Sequence, residues 1–117
     1  MPLPFLTFLT FFFLSTPAWA EHQGTNLVNR EGQWYFPFHE EPVNGRVLEW
    51  FKNGQKSSVV VYKDGKLNGL WTLWYENGQE QEEGTFKDGK FDGVFTVWDT
   101  HGNIIKQGTF KNGEAVK

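Results

Sequence analysis

From residue 45 onward, runs rich in aromatic and β-branched residues alternate with glycine-containing breaks. The runs read RVLEWF, KSSVVVY, LWTLWY, EQEEGTF, VFTVWD and NIIKQGTF. They are of strand length, and none carries an i, i+3, i+4 apolar stripe long enough for a helix. The pattern predicts a meander of successive antiparallel hairpins.

The breaks recur. Shifted by 24 residues, the chain falls onto itself without a gap: Trp50 meets Trp74 and Trp98, Gly45 meets Gly69 and Gly93, and Gly65 meets Gly89 and Gly113. Tyr62, Phe86 and Phe110 also align, as do Lys63, Lys87 and Lys111. A repeated supersecondary unit is the physical meaning of such a period. The units run over about 45–68, 69–92 and 93–113 within a repeat sheet spanning 33–117.

Each unit holds two turn signals. Asn53-Gly54, Asn77-Gly78 and His101-Gly102 mark the first, which predicts a two-residue type I′ loop at Asn-Gly. Lys63-Asp64-Gly65-Lys66, Lys87-Asp88-Gly89-Lys90 and Lys111-Asn112-Gly113 mark the second. It runs on to Asn68-Gly69 and Asp92-Gly93 and predicts a longer loop. A two-residue loop at Asn77-Gly78 sets Tyr75 opposite Glu80, Leu73 opposite Glu82 and Trp71 opposite Gly84. By the same count Phe95 faces Gly108 and Val47 faces Val60. A large ring covering a bare glycine is good sheet chemistry.

The first twenty residues change the picture of the N-terminus. MPLPFLTFLTFFFLSTPAWA has no charged side chain, and its apolar run ends in an A-x-A site. Residues 1–20 are expected to be a signal peptide cleaved between Ala20 and Glu21. An entry segment over 21–32 follows. The chain has no Cys, so disulfides, thiolate metal sites and a lipid-bearing Cys are excluded. A bacterial exported protein, periplasmic or extracellular, fits this usage. The net charge of −3 argues against nucleic acid, whose binding depends on cations meeting phosphates.

Candidate chemistry is sparse. The mature part has two serines, Ser57 and Ser58, both within a strand. No phosphate-binding loop or zinc-binding helix motif is present. His39-Glu40-Glu41 reads as a solvated loop, because adjacent extended residues diverge. No cofactor or metal is called for, and a flat sheet offers no catalytic cleft. Two surface features remain. Trp50, Trp74 and Trp98 form a ladder, and Lys63, Lys66, Lys87, Lys90 and Lys111 line one rim. Their plainer roles are to tile the sheet and to keep it soluble.

The stretch Gly84-Thr85-Phe86-Lys87-Asp88-Gly89-Lys90, followed by Asp92-Gly93, resembles the G-x-[FW]-x-[DN]-G-k-x-x-G core of MORN repeats. WYENGQ at 74–79 is similar to the repeat variant of bacterial proteins labelled YwqK-type antitoxins. Leu27-Val28-x-Arg30 with Gly32, and Pro42-Val43-Asn44-Gly45, resemble the entry segment of that group. The first unit departs in carrying Val60 where later units have Gly84 and Gly108. The resemblance implies an all-β, elongated, single-layer antiparallel sheet of tandem hairpins whose last strand is an open edge.

Area without a pocket points to a non-enzymatic binding or scaffold module, mediating protein–protein contact in the cell envelope. Two alternatives stand beside it. One is an antitoxin or immunity protein, by family analogy. The other is a binder of cell-wall glycan or anionic lipid through the Trp ladder and Lys rim, with membrane contact at most peripheral.

Overall fold

The computed structural model describes residues 26–117 and the backbone of residues 21–23. The expected leader over 1–20 lies outside the described residues. Among those described, every regular element is a strand, and no helix is long and apolar enough to cross a membrane.

Eleven strands follow one another: β1 (Glu21–Gln23), β2 (Val28–Arg30), β3 (Gln33–Tyr35), β4 (Gly45–Trp50), β5 (Lys56–Lys63), β6 (Lys66–Trp74), β7 (Glu80–Lys87), β8 (Lys90–Phe91), β9 (Gly93–Trp98), β10 (Ile104–Lys111) and β11 (Glu114–Ala115). Nine of them form one sheet in the order β1-β4-β5-β6-β7-β9-β10-β11, with β8 on β7. The meander is antiparallel throughout except at its first edge, where β1 runs parallel to β4. Gln33–Tyr35 pair with Val28–Arg30 in a separate hairpin, and the repeat sheet takes up at Gly45.

The expected register holds in the body of the sheet. Leu73 faces Glu82 and Trp71 faces Gly84. Phe95 faces Gly108, and Val47 faces Val60. The turns are the reverse of what the sequence predicts. Asp64-Gly65, Asp88-Gly89 and Asn112-Gly113 have positive φ at both residues, 50° and 78°, 49° and 85°, 51° and 84°. Lys63 pairs with Lys66 and Lys87 with Lys90, so these are the tight type I′ loops.

The Asn-Gly breaks form wider loops. Gly78 N donates to Tyr75 O (3.0 Å) and Tyr75 N to Gln79 O (2.8 Å). Only the glycine takes positive φ there, at 90°. This is a three-residue loop ending in a bulge, and the asparagine explains the choice. Asn77 Oδ1 accepts from Gln79 N (2.9 Å), and its Nδ2 donates to Thr100 O in the next unit (2.9 Å). Tyr75 therefore does not face Glu80; Trp74 does. One extra residue at Gln81 then restores the register. The same shift recurs between Glu49 and Trp50 and between Ile104 and Lys106.

Both rims stitch each unit to its neighbour. On the wide-turn rim, Asn53 Nδ2 donates to Glu76 O (3.1 Å), as Asn77 does to Thr100. On the tight-turn rim, Gly65 N donates to Val43 O (2.9 Å), Gly89 N to Leu67 O (2.8 Å) and Gly113 N to Phe91 O (2.8 Å). The wide-turn bonds reach forward and the tight-turn bonds reach back, and each joins neighbouring turns only, as nearest-neighbour stability in a repeat requires.

The two faces differ. One carries a run of rings. Trp71 meets Phe86 at 5.4 Å between centroids, Phe86 meets Phe91 at 4.3 Å, and Phe91 meets Phe95 at 4.9 Å and Phe110 at 5.4 Å. The other face repeats the triads Arg46/Leu48/Trp50, Leu70/Thr72/Trp74 and Val94/Thr96/Trp98 on β4, β6 and β9. Thr72 and Thr96 are buried there, sunk between longer neighbours. The last strand is partly covered: β11 pairs with β10 at Phe110 and Lys111.

Candidate functional site

The three tryptophans occupy matching places. Trp50 pairs with Lys56, Trp74 with Glu80 and Trp98 with Ile104. Each sits beside the register shift next to its wide turn. Trp74 lies under the ammonium of Lys56, with Nζ 5.5 Å from the ring centroid, and the Tyr75 hydroxyl donates to Trp98 O (2.8 Å). Burial, and then the neighbouring Glu83 carboxylate, push the Glu80 carboxyl up.

The five lysines, all exposed, lie on the opposite rim. Lys63 and Lys66 flank one tight turn and Lys87 and Lys90 the next, while Lys111 pairs with Glu114. Strand β6 runs nine residues from Lys66 to Trp74, so the rims stand roughly 25 Å apart at a rise of ~3.3 Å per residue. The structure therefore does not bring the Trp ladder and the Lys rim into one site.

The glycine-facing rings also resolve differently from the simple pairing. The three atoms nearest to a β-carbon at Gly84 would all belong to Phe95, the ring from the following unit. Trp71, its cross-strand partner, instead donates through Nε1 to Glu82 Oε1 (3.4 Å).

Two features escaped the sequence. The first is Phe38, which is fully exposed. His39 N donates to Phe36 O (3.1 Å) across the Phe36-Pro37-Phe38-His39 turn, and Phe38 takes φ 66°. That is the type II turn position that glycine normally fills. Proline at the second position was the available signal.

The second is a cavity of about 230 Å³ between the entry segment and the first unit. Sequence reasoning gave the sheet no cavity, because nothing local says that a distant hairpin folds back. Trp34 N donates to Gly65 O (2.7 Å) and Val43 N to Trp34 O (3.0 Å), fixing β3 against the first tight turn. The cavity is lined by Asn26, Leu27, Trp34, Val47, Glu49, Ser58, Val60 and Tyr62. Ser58 Oγ donates to Glu49 Oε1 at 3.3 Å. Burial, and then the Glu49 charge, push the Tyr62 phenol above its ordinary range.

His39 is exposed and its Nδ1 lies 3.1 Å from Pro37 O. His101 sits at the third wide turn, where its amide donates to Asp99 Oδ1 (2.8 Å). Among the described residues no three His, Asp or Glu side chains converge as metal ligands would.

Comparisons with curated proteins and with solved structures find no match. The model of the MORN repeat variant matches twice, over residues 67–88 and 91–112. Each match spans one wide-turn hairpin, so the second and third units are similar to tandem MORN repeat variants in sequence as well as in arrangement.

Proposed function

We propose that this chain is an exported, non-enzymatic scaffold module that presents its tryptophan-bearing face to another protein in the cell envelope. The MORN repeat is a non-catalytic module associated with binding and scaffolding. The uncharged apolar leader ending at Ala20 supports export.

One observation carries the reading. Trp50, Leu70, Val94 and Ile104 share one face and stay 49%, 45%, 54% and 57% exposed. Scattered single apolar residues need no explanation, but a recurrent set on one flat face is what a protein contact uses. The experiment is site-specific photocrosslinking in intact cells from position 70 or 94, with Lys90 on the opposite rim as control. A single defined protein captured from the face and lost in a Leu70→Asp/Val94→Asp variant is the expected result. Equal capture from Lys90 would remove the reading.

A further inference from the structure

We infer that the cavity between β3 and the first repeat unit binds a small alkylammonium cation, with Glu49 as its counter-charge and Trp34 and Tyr62 as its aromatic walls.

The repeat itself supplies the control. Position by position, the first unit departs from the other two where it lines this space. Val47 stands where the later units place Trp71 and Phe95, and Val60 where they place Gly84 and Gly108. Glu49 replaces Leu73 and Val97. Tyr62 replaces Phe86 and Phe110. The later units fill this face with their own rings. The first lacks those rings, and the space is lined by Trp34 from outside the repeat. The departures give a carboxylate, a hydroxyl and a phenol an apolar floor.

The lining contains no Lys, Arg or His. The hydrogen bond that Glu49 accepts comes from the neutral Ser58 hydroxyl, so no cationic side chain of the lining pairs with the carboxylate. Glu49 is exposed, so its carboxylate stays hydrated and acts by attracting a cation from solvent toward the aromatic walls. A cation flanked by aromatic rings gains from their quadrupoles, more so when desolvated. The alkyl groups of such a cation suit Val47, Val60 and Leu27. The volume lies below the ~300–1,000 Å³ of pockets for drug-sized ligands, which sets the ligand at headgroup size. Trp34 is held through both its amide and its carbonyl, so this wall is in place before a ligand arrives.

The test titrates the full chain with tetramethylammonium and with choline, against the neutral isostere 3,3-dimethylbutanol, following the Trp34 indole N–H by NMR. Both cations are expected to bind saturably, and choline at least about tenfold more tightly than the isostere. Glu49→Gln is expected to remove that preference. Val60→Leu, which fills the cavity without touching charge, is expected to weaken binding of cation and isostere alike and decides the matter should Glu49→Gln not fold. Phosphatidylcholine vesicles form a second arm. Binding of free choline and vesicles makes a lipid headgroup the source; binding of free choline alone makes it a soluble amine. Equal affinity for choline and isostere, unchanged binding by Glu49→Gln, or no saturable shift overturns the inference.

Discussion

The ring of Phe95 lies directly over Gly84: a β-carbon built there would come within 2.7 Å of Phe95 Cδ2. Phe95 is itself held by Phe91 and Phe110, at 4.9 Å and 6.4 Å between centroids, so it has little room to retreat. At the equivalent Gly108 the nearest atom would be Phe110 Cε1 at an ordinary 3.6 Å. Gly84→Ala is therefore expected to cost about 1–3 kcal/mol through overpacking, and Gly108→Ala to stay within about 0.5 kcal/mol. Urea unfolding of the two variants checks the contrast.

The asparagine links predict a second asymmetry. Asn77→Ala loses the bond inside its own turn and the one to Thr100, for a cost of about 1–2 kcal/mol. At the third wide turn the pattern differs, since Asp99 rather than the residue before the glycine accepts from the turn's backbone, including the His101 amide. His101→Ala is expected to leave the thermal midpoint nearly unchanged.

Docking of the entry hairpin can be isolated with two alanines. Gly65 and Gly89 both need positive φ, at 78° and 85°. A β-carbon at Gly89 meets nothing within 4 Å, whereas one at Gly65 falls 2.9 Å from Gln33 and Pro42 and 3.1 Å from Trp34 N. Gly89→Ala carries only the conformational cost of roughly 1–2 kcal/mol. Gly65→Ala adds displacement of β3, read as faster hydrogen exchange at the Trp34 amide.

Phe38 holds a backbone conformation that bulky residues avoid. Phe38→Gly is expected to raise stability by up to about 1 kcal/mol. A gain in melting temperature accompanied by loss of partner crosslinking would make this ring a contact residue.

Acid titration separates two carboxyl groups shifted in opposite directions. Glu80, pushed up by burial and Glu83, is unfavourable when ionised. Its penalty appears as pH rises through the unfolded value near ~4.3 and is complete above the folded one. Glu80→Gln is expected to raise the melting temperature at pH 7 and to have no effect well below pH ~4. Asp99 is pulled down by hydrogen bonds from the backbone of Asn103 and then of His101. Its contribution is present above the unfolded value and disappears as pH falls through the folded one, so Asp99→Asn flattens the acid limb.

Much of this was written locally. Register followed from the 24-residue period and from pairs such as Val47 with Val60, because a pleated strand leaves one choice once a face is fixed. The turn types did not follow. Asn77 is drawn from the type I′ geometry by bonds to Gln79 and to Thr100, and the second of these exists only in the assembled array. The loop and the shift at Gln81 cancel, which is why a wrong turn still gave the right register. The cavity was invisible for a related reason. It depends on Trp34 returning to Gly65, 31 positions along the chain from it, and no spacing rule encodes that.

Because the same rim bonds recur from one unit to the next, the array can lengthen only in whole steps. Duplication of residues 69–92 would recreate each bond at a new junction. An insertion of half that length would bring a wide turn against a tight one and leave the amide of a Gly89-type residue without its acceptor. Length in such a chain is therefore quantised, and deletions that survive should remove complete modules.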